Sequence, residues 1–354
     1  EVKPVPKRRT LQVVGSPKAK QSKYPVWECA FLRWMRQHPA EQTYLLWMAA
    51  ASTLGYFGEE GREPFHELSR GYPGYNKDEA NDLFDKMLAS REQGIGPVTY
   101  AKLAEFGFSQ QDDTDAASPA IYIMHLWQTK ALAEMGLGYD QESGKLTFNP
   151  NIFADYFLEK NQLLVYEDKI FYEYQGGVWR PLTEVRLTRR IRNMFQAVKK
   201  NMYRSWLGAE AVGMLKLAAP EAEEMDTHKH LLNLANGMLD INTFELLPHS
   251  PEYLSTVQIP LVYDPSAKCE RFEQFVDEIT DSDLARVKVV QEMVGYLLTA
   301  ETTIHKAFFL FGEGSNGKSL LLEVVTMLIG PENVSNLTLQ DLENSFRRSN
   351  LIGK

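Results

Sequence analysis

Cysteine is scarce in this chain of 354 residues, and long apolar runs are absent. Its two thiols, Cys29 and Cys269, lie too far apart in sequence to suggest a disulfide framework or a zinc site. We therefore expect reduced thiols in a cytoplasmic protein. The longest apolar stretches, such as Leu45–Ala51, are too short to span a bilayer, which argues against a membrane partner. No signal peptide is visible and residue 1 is Glu, so we expect a fragment or a processed product.

Positive charge is also in deficit, with 38 Lys and Arg against 47 Asp and Glu and a formal net charge of −9. This balance excludes a chain coated in basic surface, although local basic segments matter more than the sum. An apolar share of 44% supports real cores, and the length favours two or three domains.

The most informative segment that is present is a glycine-rich loop near the C-terminus. The segment Gly312-Glu313-Gly314-Ser315-Asn316-Gly317-Lys318-Ser319 fits the phosphate-binding pattern of two glycines, a lysine and a hydroxyl residue. It follows the apolar run 307–311, which we interpret as a buried strand, and precedes a helix over 320–329. Gly330 and Pro331 are expected to end that helix.

The residue types of this loop predict its chemistry. Glycines allow backbone N–H groups to converge on phosphate oxygens at the positive end of a helix dipole. Lys318 would place its ammonium against the β- and γ-phosphates, and Ser319 would give its hydroxyl to Mg²⁺. We therefore expect ATP and Mg²⁺ as cofactors, with all eight loop residues in contact with the nucleotide. The alternative is an ordinary glycine-rich turn between a strand and a helix.

The first part of the chain is predicted to be helical. Residues 1–24 carry seven cations and three prolines, which fits a basic linker that either touches nucleic acid or serves as a tether. Residues 25–108 fit a small helical bundle, whose aromatic residues we expect in the core rather than as base-stacking platforms. Residues 109–148 fit a polar, acidic linker and a connecting helix.

Residues 149–300 are predicted to form a mixed α/β domain, and residues 301–354 the start of an α/β ATPase domain. Strands are expected at 163–166, 170–174 and 178–180, and an Asn-Gly turn signal lies within 231–241. Helices are expected over about 272–279 and 284–298, the second with an apolar stripe that packs on the ATPase core. The fold class is thus α+β and multidomain.

One segment of the mixed domain is strongly basic. Apolar residues recur at helical spacing from Leu187 to Val198, which predicts an amphipathic helix with a basic face over 186–204. Such a helix is a candidate contact for a phosphate backbone, while the alternative is a basic face that pairs with acids elsewhere. The candidate DNA-binding residues are Arg186, Arg189, Arg190, Arg192, Lys199, Lys200 and Arg204.

Several of these segments, in this order, resemble a known family. The stretches 236–240, 259–265 and 295–298 ahead of the glycine-rich loop look like the phage- and plasmid-encoded, poxvirus-like primase–helicases of helicase superfamily 3. The stretches 65–75 and 96–108 look like the accessory domain that follows the polymerase domain in such proteins.

The resemblance implies an AAA+-like DNA helicase that hydrolyses ATP, often as a hexameric ring, on single-stranded or forked DNA in a bacterial host cytoplasm. It implies that Lys318 and Ser319 contact phosphate and Mg²⁺. No Walker B carboxylate, sensor or arginine finger can be assigned after Lys318, so hydrolysis should need residues beyond Lys354. Primase chemistry, if the parent has it, would lie before residue 1.

Two other functions remain open. The chain could be a non-enzymatic DNA-binding and assembly module that couples a primase to a motor, as the basic helix suggests. It could also be a P-loop protein of another type, such as a nucleotide kinase, which the long preceding region disfavours.

Overall fold

The computed structural model is mixed α/β, with helices and three small sheets. It describes residues 22–110, 112, 114–167, 169–299, 303–314, 316–338, 340 and 343. The chain divides into two compact units, one up to Thr147 and one from Phe148. Within the described ranges, no helix is long and apolar enough to cross a membrane.

The first unit is mainly helical over its described residues. Its helices are α1 (Ala30–Gln37), α2 (Tyr44–Gly55), α3 (Arg62–Ser69), α4 (Lys77–Glu92), α5 (Tyr100–Glu105) and α6 (Pro119–Glu134). The strand β1 (Leu137–Tyr139) then pairs with β2 (Leu146–Phe148), which reaches the boundary between the units in sequence.

Short polar side chains begin several of these helices. The Thr43 hydroxyl accepts a hydrogen bond from Leu46 N at 3.3 Å. The Asn76 side chain accepts bonds from Asp78 N and Glu79 N, and the Ser118 hydroxyl from Ile121 N. Such caps satisfy backbone N–H groups that have no partner within the helix, and each stabilises its helix by about 1 kcal/mol.

The aromatic residues of this unit form its core, as predicted. Phe31, Phe65 and Phe84 are fully buried, and the Phe65 and Phe84 rings stack at 5.5 Å. The Trp47 ring stacks on Tyr72 at 5.0 Å, while its indole N–H donates to the Ser69 hydroxyl at 2.8 Å. Part of the motif at 65–75 therefore has a packing role.

The polar linker is tied to the bundle through Asp112. One carboxylate oxygen of Asp112 accepts a bond from Ala30 N at 2.8 Å, at the start of α1. The other accepts a bond from the Tyr100 hydroxyl. Asp112 thus links the first residue of α1 to Tyr100 of α5.

The second unit begins with α7 (Pro150–Lys160) and a four-stranded sheet. Its strands are β3 (Leu163–Tyr166), β4 (Ile170–Gln175), β5 (Val178–Leu182) and β6 (Glu221–Ala222), in the order β5-β4-β3-β6. The first three form an antiparallel meander, in which Leu164 lies opposite Tyr172, and β6 joins β3 in parallel. The strand predictions at 163–166, 170–174 and 178–180 are confirmed.

Two helices follow β5 and complete an aromatic core with α7. They are α8 (Glu184–Val198) and α9 (Ser205–Ala218). Phe153, Phe157 and Phe195 are fully buried, and the rings of Phe153 and Phe195 lie 5.4 Å apart.

A three-stranded sheet comes next, formed by β7 (Leu231–Leu234), β8 (Gly237–Asp240) and β9 (Leu246–Leu247). The β7–β8 hairpin confirms the Asn-Gly turn signal. The buried amide of Asn233 donates to Gly177 O at 2.9 Å, which fixes the β4–β5 turn beside β7.

Three helices close the described part of the chain, namely α10 (Glu270–Ile279), α11 (Leu284–Leu298) and α12 (Lys318–Ile329). They confirm the helices predicted from sequence. Met293 of α11 and Leu321 and Val325 of α12 form a small buried cluster. The apolar stripe of α11 therefore packs on the helix that follows the glycine-rich loop.

Candidate functional site

The glycine-rich loop ends at the N-terminus of α12, in the position expected for phosphate binding. Gly317 adopts a left-handed conformation, with φ +81°, and directly precedes Lys318 at the first position of the helix. Among the described residues no side chain caps this helix, and N–H groups at an uncapped helix N-terminus bind anions. Gly330, with φ +97°, and Pro331 end the helix as predicted.

Gly317 is required for packing as well as for backbone conformation. A Cβ atom placed there would lie 2.5 Å from Ile279 Cγ2 and 3.3 Å from the Phe275 ring, both on α10. The loop is therefore pressed against α10, a contact that the sequence did not predict.

The ammonium group of Lys318 lies over the loop. Its Nζ donates to Gly312 O at 3.0 Å and to Glu313 O at 2.7 Å, and it also bonds the Asn316 side chain. These bonds tie the start of the loop to its end. The three bonds use all three donors of the ammonium, so Lys318 must release its loop partners to bind phosphate oxygens.

The other loop residues complete the description of the predicted site. Ser319 is exposed in the first turn of α12, where its hydroxyl can reach a ligand. Gly312, Glu313, Gly314 and Asn316 are also exposed, while Ser315 lies outside the described residues. A cavity of about 430 Å³ adjoins Asn316 and Lys318, and α11 lines it with Arg286 and Val290.

The prediction of a buried strand before the loop is wrong for this structure. Residues 307–311 are not a strand, and Phe309 and Phe311 are 86% and 100% exposed. A strand needs a neighbour for its backbone N–H and C=O groups, and no strand in the described ranges pairs with this segment. The start of an ATPase sheet is thus a prediction that the structure does not realise.

The basic segment is shorter as a helix than predicted. Helix α8 ends at Val198, Lys199 is extended, and Asn201 is left-handed with φ +60°. Lys199, Lys200 and Arg204 therefore lie in the turn between α8 and α9, which is defined here as the basic turn, residues 199–204. The amphipathic pattern itself is confirmed, since Leu187, Ile191 and Phe195 are buried.

Arg190 has partners inside the unit. Its guanidinium bonds the Glu173 carboxylate on β4 and the Asn161 side chain, and it lies 5.5 Å from the centre of the Phe157 ring. The Glu173 side chain is only 12% exposed, so this ion pair holds α8 to the sheet. For this one residue, the alternative of pairing with an acid elsewhere is correct.

The remaining arginines of α8 present their charge outward. Arg186, Arg189 and Arg192 are exposed, and no carboxylate within the described residues forms a salt bridge with them. Glu184, the one acid of α8, bonds Lys216 of α9 at 3.2 Å. Shallow hollows of about 450 and 510 Å³ run along this arginine face. Three unneutralised guanidinium groups on one face can contact successive phosphates.

A protein-only metal centre is not formed by the part of the chain that the structure describes, where no group of three or more His, Cys, Asp or Glu converges. Mg²⁺ commonly uses one or two protein ligands together with phosphates and waters. An exposed hydroxyl beside an anion site, as at Ser319, suits that mode of binding.

Residues 151–281 match the family model described as D5 N terminal like. The match supports the primase–helicase family predicted from the sequence. The D5-like region runs from α7 to the end of α10 and so includes the arginine face of α8. It suggests a replication protein of primase–helicase type. The match stops before the glycine-rich loop, whose role must be argued from its own geometry.

Proposed function

We propose that this chain is part of an ATP-dependent DNA helicase of the phage or plasmid replicative type. The observation that carries the proposal is the loop 312–317, which runs into the uncapped N-terminus of α12 with Lys318 Nζ held over it. The D5-like match over 151–281 supports the same class of protein.

The loop residues would divide the work of binding between them. The backbone of 312–317 would cradle the phosphates, and Lys318 would leave its carbonyl partners for the β- and γ-phosphates. Ser319 would hold Mg²⁺, which neutralises charge on the phosphates. We assign no residue of this chain as the carboxylate that positions water, and none as the arginine finger. A hexameric ring on single-stranded or forked DNA belongs to the proposal through family resemblance.

Binding of a fluorescent ATP analogue with Mg²⁺ tests the nucleotide site. We expect Lys318→Ala to weaken binding by about tenfold or more, because a charged hydrogen-bonding partner contributes about 1.5–3 kcal/mol. Lys306→Ala is the matched control, since it removes a lysine charge just outside the motif. It should bind as the wild type does.

Equal affinity in the wild type and Lys318→Ala would contradict the proposed site. The loss of binding in both lysine variants would point instead to a general effect of charge. A circular-dichroism spectrum unchanged by Lys318→Ala would show that the loss is local.

A non-enzymatic DNA-binding and assembly module is the second candidate. The observation that favours it is the exposed face of Arg186, Arg189 and Arg192, which has no carboxylate partner among the described residues. This face lies within the D5-like match and does not depend on the glycine-rich loop.

Reversing charge on that face should weaken DNA binding. We expect the double variant Arg189→Glu and Arg192→Glu to reduce the slope of log K against log salt concentration by about one to two. The control is Arg271→Glu with Lys288→Glu, which changes the charge equally on α10 and α11. If both double variants lose affinity alike, the α8 face is not a specific contact.

A further inference from the structure

One large aromatic side chain of the second unit reaches solvent beside the basic turn. Trp206, in the first turn of α9, is 40% exposed, whereas Phe153, Phe157 and Phe195 of the adjoining cluster are fully buried. Its ring centre lies 6.3 Å from that of Phe148, at an interplanar angle of 70°. Trp206 thus contacts Phe148 edge to face at the rim of the cluster, and part of its surface reaches solvent.

The basic turn that leads to Trp206 has a defined conformation. Asn201 N donates to the Gln196 side chain at 2.7 Å, and Met202 is buried. The Tyr203 hydroxyl lies so close to Gly208 that a Cβ atom there would be 2.2 Å away. These contacts fix the turn against α8 and α9, so its backbone needs little further ordering to bind a ligand.

The charges at this turn are all positive. Lys199, Lys200 and Arg204 are exposed, and no acid occurs between Glu184 and Glu210. Arg204 uses Nη1 to donate to Asn201 O at 2.7 Å and Tyr203 O at 3.0 Å. These bonds hold the guanidinium against the turn, and its other N–H groups can still donate to a ligand. Glu210, one turn further along α9, ends the basic stretch.

The arginine face of α8 leads into this turn. From Arg186 to Val198 the helix rises about 18 Å, at 1.5 Å per residue. Exposed positions along it carry Arg186, Arg189 and Arg192, and then Lys200 and Arg204 follow in the turn. Positive charges along a helix, followed by a partly exposed indole, combine the two elements of a single-strand site, phosphate contacts and a stacking platform.

We propose that Trp206 and the basic turn bind single-stranded DNA, with a base stacked on the indole and phosphates on Lys200, Arg204 and the α8 arginines. This inference rests on the proposed DNA contact of α8. A single strand is the ligand because its bases can leave the stack, whereas the bases within a duplex keep their faces covered.

Fluorescence anisotropy with an oligothymidine of about 20 nucleotides and a duplex of the same length tests the proposal. Trp206→Ala should weaken single-strand binding by about tenfold or more and leave duplex binding nearly unchanged. Trp206→Phe should lie between the two, because a smaller aromatic ring still stacks. Phe244→Ala, which removes a side chain that is 66% exposed elsewhere in this unit, should have no effect.

Different outcomes separate this inference from the proposed function. If Trp206→Ala and Trp206→Phe bind the oligothymidine as tightly as the wild type does, while Arg189→Glu with Arg192→Glu binds weakly, the stacking site is wrong and the α8 contact stands. If Trp206→Ala weakens duplex and single strand equally, the indole has no stacking role and the inference is overturned. If Trp206→Ala lowers the melting temperature, the Trp206→Phe variant decides. The inference is overturned if stably folded Trp206→Phe binds the oligothymidine with wild-type affinity and if the oligothymidine does not quench the tryptophan fluorescence of the wild type.

Discussion

Cys29 and Cys269 differ in environment although the sequence treats them alike. Cys29 is fully buried at the start of α1, and burial raises the pKa of its thiol from 9.0 to about 12, whereas Cys269 is exposed. Because the thiolate is the reactive form, we expect an alkylating reagent at about pH 8 to modify Cys269 alone. Mass spectrometry of tryptic peptides measures this, and denaturant should expose Cys29 to the reagent. Rapid modification of both thiols in the folded protein would contradict the described packing.

The same pKa shift fixes a direction for stability against pH. Below pH 9.0 both the folded and the unfolded protein keep the Cys29 proton, so this group adds no pH dependence. Above pH 9.0 the Cys29 thiol loses its proton in the unfolded chain before it does so in the folded protein. The free energy of unfolding therefore falls as the pH rises from 9.0 to about 12.

Arg190 shows that the residue type alone does not decide whether an arginine of α8 faces solvent or pairs within the protein. It has the same residue type and neighbourhood as Arg189, and the sequence placed both on a DNA-binding face. The difference is about 100° of rotation around the helix, which turns Arg190 toward Glu173 and Asn161 on other elements. Such partners lie far away in sequence, so residue type and periodicity alone could not separate the two arginines.

At the scale of the element, Gly208 and Gly213 on α9 form a matched pair. A Cβ atom at Gly208 would lie 2.2 Å from the Tyr203 hydroxyl and 3.1 Å from Thr188 Cγ2, whereas Gly213 meets nothing within 4 Å. We expect Gly208→Ala to destabilise the protein by about 1–3 kcal/mol through the clash. Gly213→Ala should instead stabilise it by about 0.5–1 kcal/mol, since alanine favours a helix. Chemical denaturation measures both, and equal effects would show that the Tyr203 contact is absent.

Most helices and strands of the second unit could be predicted because their signals are local. Short turns separate the strands β3, β4 and β5 of the meander, and α8 carries three buried positions at helical spacing. The end of α8 was missed because the basic run continues past Val198, although Lys199 already leaves the helix in an extended conformation. The segment 307–311 was wrongly predicted to be a strand, because an apolar run has strand propensity but forms a strand only beside a partner strand.

At the scale of the whole molecule, the chain has a net charge of −9, yet the arginine face of α8 has no carboxylate partner among the described residues. Local charge, not the total, governs contact with DNA at distances within about 10 Å at moderate salt. The order of segments allowed the family to be predicted, and the D5-like match over 151–281 supports it. The bounds of the five predicted segments remain predictions, as do the ring and its cofactors.

In an ATP-dependent helicase, ATP bound at the loop should change the affinity of α8 for DNA. The most direct test measures the affinity for single-stranded DNA with and without a saturating, non-hydrolysable ATP analogue and Mg²⁺. If the sites are coupled as in a motor, the affinity should change by about fivefold or more, and Lys318→Ala should abolish the change. The same DNA affinity in both conditions, with the analogue demonstrably bound, would contradict the helicase account and leave the DNA-binding module.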